Sequence, residues 1–326
     1  MKKLNIAIIG LGNIGGYLYK YLNDNKKILA KKNNCLPIIK YVSAKNKKRK
    51  RNIKIKKTQW LNNYLHSTKL KDVDLIIELI GGAEGPAKKL VFDALKNKKH
   101  VVTANKALIA KYGDQLSKIA EKNKVNLEFE AAVCGGVPII RSIKEGLIAN
   151  KINKIFGIFN GTSNYILSSM DKQSKEFDEV LDNAKNLGYA ESNPSADLNG
   201  DDVAAKLKIL TSLCFNSCLN NNIHVEGIKN IDKTDINNAN KLGYKIKLLG
   251  YSEQINNKIY QRVHPVLIKK SSYVASIDGV LNAVIVDGKP VGKNIIQGEG
   301  AGPAATTSAL VSDISSKIGF CTAIFI

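Results

Sequence analysis

Over the first 130 positions, apolar residues fall into short runs separated by amphipathic stretches of ten or more residues. Leu4–Ile9 is one such run and predicts a strand buried on both faces, followed by GLGNIGG and a helix through Leu22. Leu36–Val42 predicts a second strand with a basic loop after it, and Val73–Ile80 a third that ends in Gly81-Gly82. A helix from about Pro86 to Lys96, a strand His100–Thr103, a helix from about Ala107 to Lys122 and a strand Val125–Phe129 complete the series. Strands spaced by helices of this length imply βαβ units, hence a parallel sheet with right-handed crossovers. From Ile152 the pattern changes. KINKIFGIFNGTSNYIL predicts a strand entering a Gly-Thr-Ser-Asn loop, helices follow, and Lys258–Val266 and Val280–Val286 predict strands of a second, mixed sheet. Gly298 to Gly302 then lead into a last helix with Pro303 at its first position. The expectation is an α/β chain of two domains: a parallel-sheet domain over 1–130, to which a helix over 303–318 returns, and an α+β domain with a mixed sheet over 131–302.

The chain has 326 residues, of which 44% are hydrophobic, enough for two cored domains. No apolar run approaches the roughly 20 residues of a membrane span. The N-terminal MKKLNIAIIGLGNIGG breaks its apolar run with glycines too early for a signal peptide and fits a first strand instead. Five scattered cysteines (Cys35, Cys134, Cys214, Cys218 and Cys321) form no disulfide framework, so the chain reads as cytoplasmic and reduced. The four histidines show no metal-ligand spacing with each other or with cysteine.

Net charge is +22, densest over Lys45–Lys57, KNKKRKRNIKIKK, which taken alone fits a polyanion-binding protein. Lysine is abundant along the whole chain, however, aromatics are only 6%, and no RNA- or DNA-binding spacing is present. The charge therefore reads as a solvated surface, with no nucleic-acid partner.

Gly10-x-Gly12-x-x-Gly15 follows an apolar strand and opens a helix, the setting of a dinucleotide fingerprint in a Rossmann-type domain. The first glycine allows the tight turn, the second lets a pyrophosphate approach the backbone, and the third lets helix and strand pack closely. NAD binders usually end the second strand on an acid that bonds the ribose 2′-hydroxyl. Here that strand ends Val42-Ser43-Ala44-Lys45, with Lys47, Lys48 and Arg49 close behind. This is chemistry for a 2′-phosphate, so NADP(H) is favoured over NAD(H), although general lysine enrichment accounts for the same residues. Lys106, in VVTANKALIA, lies just past the carboxyl end of a parallel strand, where open α/β sheets bind ligands.

A second concentration of chemistry lies in GYAESNPSADLNGDDVAAK, residues 188–206, which gathers Glu191, Asp197, Asp201, Asp202 and Lys206. Wound as a helix, Val203, Leu207, Leu210 and Cys214 form an apolar stripe widened by Ile209 and Leu213. Lys206 falls within that arc, one turn after Asp202, while Lys208 points away. A lysine on a burying face is costly unless paired or used, and burial lowers a lysine pKa toward the range useful for proton transfer. An edge lysine that snorkels to water fits the pattern equally well.

Nearly the whole chain resembles homoserine dehydrogenases. The resemblance runs from GLGNIGG through IELIGG (77–82), TANKALIA, FEAAVCGGVPII, GIFNGTSNYIL and LGYAESNPSADLNGDDVAAKLKIL to GEGAGPAATTSALVSDI, in matching order and spacing. It implies reduction of L-aspartate 4-semialdehyde to L-homoserine with NAD(P)H, a step toward threonine and methionine. Lys206 would then be the general acid, Asp202 would orient it, and Lys106 would stand near nicotinamide and substrate. Glu191 would take the substrate's ammonium group, with Asp197, Gly161 and Thr162 shaping the same pocket. The cofactor would meet Gly10, Gly12, Asn13, Ile14, Gly15, Lys45, Gly81, Lys106 and Gly302. Glu130, with the carbonyls of Val133, Gly135 and Val137, matches a structural monovalent cation site, expected to hold sodium. Relatives commonly form homodimers through the second domain.

The chain stops at Ile326, soon after the returning helix, so the resemblance implies a short form without a C-terminal regulatory domain. The match is loose over Ser43–Asp72. The closest rival in chemistry is a two-domain aspartate-semialdehyde dehydrogenase, which needs a cysteine nucleophile beside a histidine base. Cys134 precedes Gly135-Gly136, but no histidine stands near it in the sequence. Cys134→Ser separates the two: the rate should stay within about threefold of wild type, whereas an acyl-enzyme mechanism predicts a loss on the order of 1000-fold or more. Steady-state kinetics with both aldehyde and acyl-phosphate substrates would read the difference.

Overall fold

The computed structural model describes residues 2–55, 58–219 and 222–316. Lys56 and Lys57 of the basic run, the last two positions of the expected 303–318 helix, and Cys321 lie outside the described residues. The fold divides into two compact units; one runs to Gly136 and resumes at Gly302, the other spans Val137–Ala301.

The first unit alternates strand and helix: β1 (Lys2–Ile9), α1 (Asn13–Asp24), α2 (Lys26–Asn33), β2 (Cys35–Ser43), β3 (Gln59–Trp60), β4 (Leu75–Glu78), α3 (Pro86–Lys96), β5 (His100–Thr103), α4 (Lys106–Asn123) and β6 (Leu127–Glu128). Its six strands are all parallel, in the order β3-β2-β1-β4-β5-β6. That is the order of a Rossmann-type sheet, and it reverses between β1 and β4. Ile6, Ile8, Leu75 and Ile77 are fully buried, as continuous apolar runs in a two-sided parallel sheet require. The expected strand over 73–80 is shorter because Glu78 closes it: its carboxylate accepts the backbone N–H groups of Ile80 and Gly81 at 2.7 and 3.0 Å, turning the chain out of the sheet. The short α2 and β3 lie in the lysine-rich stretches where polar residues conceal any apolar period.

The second unit contains α5 (Ile139–Arg141), β7 (Lys151–Ile158), α6 (Gly161–Gln173), α7 (Phe177–Asn186), α8 (Ser195–Leu198), α9 (Asp201–Phe215), β8 (His224–Val225), α10 (Lys233–Lys241), β9 (Tyr244–Ile255), β10 (Lys258–Lys269), β11 (Leu281–Lys289) and β12 (Gly292–Glu299). Its sheet is mixed, in the order β12-β11-β7-β9-β10-β8, antiparallel except where β8 meets β10. Helix α9 packs across β7, β9 and β10, and α6 across β9 and β11. Gly161–Asn164 are not a loop. They form the first turn of α6, capped by the Asn160 side chain, which accepts a hydrogen bond from Ser163 N. Ser, Thr and Asn favour caps and turns alike, so composition alone does not separate the two.

Strand β9 carries a fully buried lysine. Lys247 donates to Asn164 Oδ1 at 3.0 Å, to the Ile277 carbonyl at 2.6 Å and to Asp278 Oδ1 at 2.8 Å. Burial pushes its pKa down, while the Asp278 carboxylate pulls it back up. Helix α11 (Pro303–Ser316) belongs to the first unit, where Leu310 and Ile314 share a core with Leu18 and Ile8.

The turn from β1 into α1 is closely packed around its glycines. A Cβ on Gly10, at φ +111°, would stand 2.3 Å from the Leu79 carbonyl oxygen, and one on Gly15 would stand 1.9 Å from the Gly10 carbonyl oxygen. Both obstacles are backbone and do not yield by a rotamer change. Gly15→Ala should therefore destabilise the protein by roughly 1–3 kcal/mol, as overpacking does. Urea denaturation should show it as a lowered midpoint without a change of slope.

Candidate active site

Lys206 and Asp202 lie one turn apart at the start of α9, on the face that also buries Val203, Leu207 and Leu210. Lys206 is 9% exposed and Asp202 5%. Their charged atoms meet at 2.7 Å, and the Lys206 ammonium also donates to the Phe159 carbonyl at 2.6 Å. Lys208 turns outward and is only half-buried. Cys214 and Leu213, placed by periodicity on the same stripe, are also half-buried because the helix is about to end at Phe215. Asp201 and Asp202 both stand in the first turn of α9, where the helix dipole favours negative charge.

Three elements converge on this pair. Asn160, at the end of β7, donates through Nδ2 to Asp197 Oδ1 at 2.7 Å and to Asp202 Oδ2 at 2.8 Å. Asn282, on β11, donates to the Phe159 carbonyl at 3.0 Å, while its buried Oδ1 has no hydrogen-bond partner among the described residues. Gly300 is packed so closely on Asn282 that a Cβ there would stand 2.1 Å from the amide. Of the residues read from the sequence, Asp197, Asp202 and Lys206 are thus brought together. Glu191 is not joined to them: it is exposed and makes no hydrogen bond or ion pair among the described residues. Its loop is anchored nearby, since Thr162 Oγ1 donates to the Tyr189 carbonyl at 2.7 Å and the Tyr189 ring packs 5.0 Å from that of Tyr165. Gly161 is held against Val280, whose carbonyl oxygen a Cβ would approach to 2.6 Å. Asn160, the Phe159 carbonyl and Asn282 went unread in the sequence; the phrase FNGTSN was visible, but which polar group faces which carboxylate is a tertiary fact.

In the first unit the glycine loop has a built surrounding. Gly10 N donates to the Ser43 carbonyl at 2.8 Å, so the end of β2 lies against the loop and exposed Lys45 follows two residues later. A Cβ on Gly12 would meet nothing within 4 Å, which leaves the open approach a pyrophosphate requires. A cavity of about 350 Å³ is lined by Gly12, Asn13, Arg49, Lys50, Arg51 and Pro303, among others. Ile14, next in the fingerprint, is half-buried on the first turn of α1 and packs against the core of this unit. The basic run is organised by Arg51. Its guanidinium donates to the carbonyls of Leu11, Asn46, Lys47 and Arg49 and stacks 5.3 Å from the Trp60 ring centre.

At the ends of β4 and β5 a buried network sets two neighbouring loops. Glu78, besides its two backbone bonds, accepts from Thr103 Oγ1 at 2.5 Å. Thr103 Oγ1 accepts from Asn105 N, and Asn105 donates to the Gly82 carbonyl at 2.7 Å while capping α4 through Leu108 N. Lys106 is the first residue of that helix, half-buried, and Gly81 stands at φ +85°. Glu84, farther along the same loop, is held at about 2 by hydrogen bonds from Lys111, then Tyr112 and Lys88. Glu130 is buried, its backbone N–H donating to Asp313 of α11 at 2.9 Å; Val133 and Gly135 are buried too, and Val137 opens the second unit. Gly302, at φ +98°, offers its carbonyl to Thr306 N in the first turn of α11. Among the described residues no His, Cys, Asp or Glu cluster is grouped to hold a metal, and no helix is long and apolar enough to cross a membrane.

Comparison with known proteins converges on one family. Residues 10–130 match the family model described as homoserine dehydrogenase, NAD binding domain, and residues 138–315 match the model described as homoserine dehydrogenase. The homoserine dehydrogenase of Neisseria gonorrhoeae is 42% identical over 315 residues, 96% of this chain and 72% of that protein. That of Bacillus subtilis is 38% identical over the same shares. The crystal structure of a homoserine dehydrogenase from Thiobacillus denitrificans superposes with a TM-score of 0.91 at 39% identity, over 98% of this chain and 74% of that one. A hyperthermophilic archaeal homoserine dehydrogenase in complex with NADPH shares the fold, at a TM-score of 0.81 and 24% identity, over 97% of both chains. With a nicotinamide-nucleotide domain and the second domain both matched over most of their length, the chain belongs to the homoserine dehydrogenase family, oxidoreductases that use NAD(P) and act on a CH–OH group.

Proposed function

We propose that Lys206 is the proton donor in the reduction of L-aspartate 4-semialdehyde to L-homoserine, with Asp202 holding its charge. The observation that carries this reading is the buried ammonium bound to the Asp202 carboxylate and the Phe159 carbonyl. The nicotinamide ring of the bound cofactor supplies the hydride. Reduction of the aldehyde leaves an alkoxide oxygen, which needs a positioned donor, and Lys206 Nζ transfers a proton to it. Asp202 keeps the resulting amine oriented for reprotonation. Lys106, fixed at the head of α4 by Asn105, adds positive charge near the forming alkoxide. Glu191 takes the substrate's ammonium group; its exposed carboxylate, unengaged by any described residue, supports that role. Asp197, Gly161 and Thr162 shape the same pocket.

The cofactor is NADP(H) in preference to NAD(H), held by Gly10, Gly12, Asn13, Ile14, Gly15, Lys45, Gly81, Lys106 and Gly302. The end of β2 carries no acid, and Arg49 and Lys50 line the cavity by the glycine loop. A 2′-phosphate gains from these cations, whereas a bare ribose gains little. Residues 1–130 with the returning helix bind the cofactor and residues 131–302 bind substrate. Glu130 with the carbonyls of Val133, Gly135 and Val137 forms a hard-oxygen donor set that suits sodium; the turn through Cys134 and Gly135, both at positive φ, supports it. Phe156, Val266 and Ile268, half-buried on one face of the mixed sheet, support a homodimer through this unit. The enzyme works in the cytoplasm.

Two measurements check this. Lys206→Ala should lose on the order of 100-fold or more in kcat for aldehyde reduction, about what a general acid contributes; a rate within threefold of wild type would remove Lys206 from the chemistry. The ratio of kcat/KM for NADPH over NADH should exceed about tenfold, corresponding to about 1.4 kcal/mol, and should fall toward unity in Lys45→Glu/Arg49→Glu. A wild-type preference for NADH would remove the 2′-phosphate site.

A further inference from the structure

We propose that Asn160 is a positioning residue for the proton donor: by donating to Asp197 and Asp202 at once, its amide fixes the carboxylate that holds Lys206. The inference rests on the reading of Lys206 as the acid, and its test separates the two.

Asn160 is 4% exposed and every polar atom of its side chain is engaged. Oδ1 accepts from Ser163 N at 2.7 Å and so caps α6. The two Nδ2 protons go to Asp197 Oδ1 at 2.7 Å and Asp202 Oδ2 at 2.8 Å. The same Asp202 oxygen lies 2.7 Å from Lys206 Nζ. Because Phe159 immediately precedes Asn160, two consecutive residues hold both members of the ion pair: a backbone carbonyl takes the ammonium, a side-chain amide takes the carboxylate. The amide orientation follows from its partners, since a flip would aim Oδ1 at two carboxylates and the amide protons at the Ser163 N–H.

Capping alone does not require asparagine. Asp and Ser cap a helix about as well as Asn, and loss of a cap costs about 1 kcal/mol. What only the amide offers is an acceptor for the cap together with two donors for two carboxylates. Aspartate would keep the cap yet set a third acidic group against Asp197 and Asp202. Serine would keep the cap oxygen yet has a single proton, on a shorter side chain. Both substitutions therefore separate the capping role from the positioning role.

The experiment compares kcat, NADPH dissociation constant and thermal midpoint for Asn160→Asp, Asn160→Ser, Lys206→Ala and the two Asn160 changes combined with Lys206→Ala. Expected are losses on the order of 100-fold in kcat for both Asn160 variants, since small displacements of a catalytic group cost that much. NADPH affinity should stay unchanged for both, and unfolding of Asn160→Ser should shift by no more than a few degrees. On the Lys206→Ala background the same changes should have little further effect, because the group they position is gone. If Lys206→Ala is crippled but both Asn160 variants keep kcat within threefold of wild type, this inference falls and the donor assignment stands. Full, additive losses on the Lys206→Ala background would likewise overturn it, since Asn160 would then act elsewhere. A fully active Lys206→Ala overturns the donor assignment and this inference with it. Should Asn160→Asp not fold, Asn160→Ser carries the same comparison.

Discussion

A lysine ammonium withdrawn from water at the head of α9 sets the terms for everything around it. Removing the partner of a buried charge costs about 3–5 kcal/mol, so the fold must surround Lys206 with compensating oxygens. Asp202 supplies one from the preceding turn, in the favourable order with the acid N-terminal to the base. The Phe159 carbonyl supplies another, which requires β7 to end under that turn and α6 to begin at once. Gly227 shows how closely the supporting loop is drawn in: a Cβ there would stand 2.0 Å from the Leu198 carbonyl oxygen. The elements carrying Asp197, Asp202 and Asn160 are thereby held in one arrangement, set by the electrostatic requirement of the buried charge.

The parallel sheet was legible because its strands are buried on both faces and read as unbroken apolar runs, as at Leu4–Ile9 and Leu75–Ile77. The mixed sheet was legible only in part. Strand β9 escaped because Lys245 and Lys247 interrupt its pattern, and Lys247 turns inward to meet Asp278. Strand β12, GKNIIQGE, escaped because it is an edge strand with one half-exposed face and glycine at its start. At the site, the helical spacing of Asp202 and Lys206 was a local property and could be read directly. The attachment of Asn160 to two carboxylates from other elements is not local, and no spacing in the chain encodes it.

The basic run shows how far composition alone misleads. Its charge points to a polyanion, yet Arg51 spends its guanidinium on four backbone carbonyls and the face of Trp60. One of those carbonyls belongs to Leu11, inside the glycine fingerprint. Arginine is suited to this, since a planar fork can serve several acceptors at once where an ammonium on a flexible stem cannot. The segment is thus tied to the dinucleotide loop by a hydrogen bond that carries no dependence on a bound anion.

Two lysines are buried among the described residues of the second unit, and they differ in how far they are withdrawn from solvent. Lys247 is 1% exposed, and Asn164, Ile277 and Asp278 take one donor bond each, which is all that an ammonium can offer. Burial depresses its pKa, but no reactant can reach it, so the shift has no chemical use. Lys206 keeps 11% of its side chain accessible at the very start of a helix, beside a loop that ends at Gly200. Burial alone therefore does not identify a proton donor. Under the role proposed for Lys206, what sets it apart from Lys247 is a charge oriented by its neighbours on a side chain that still keeps part of its surface accessible.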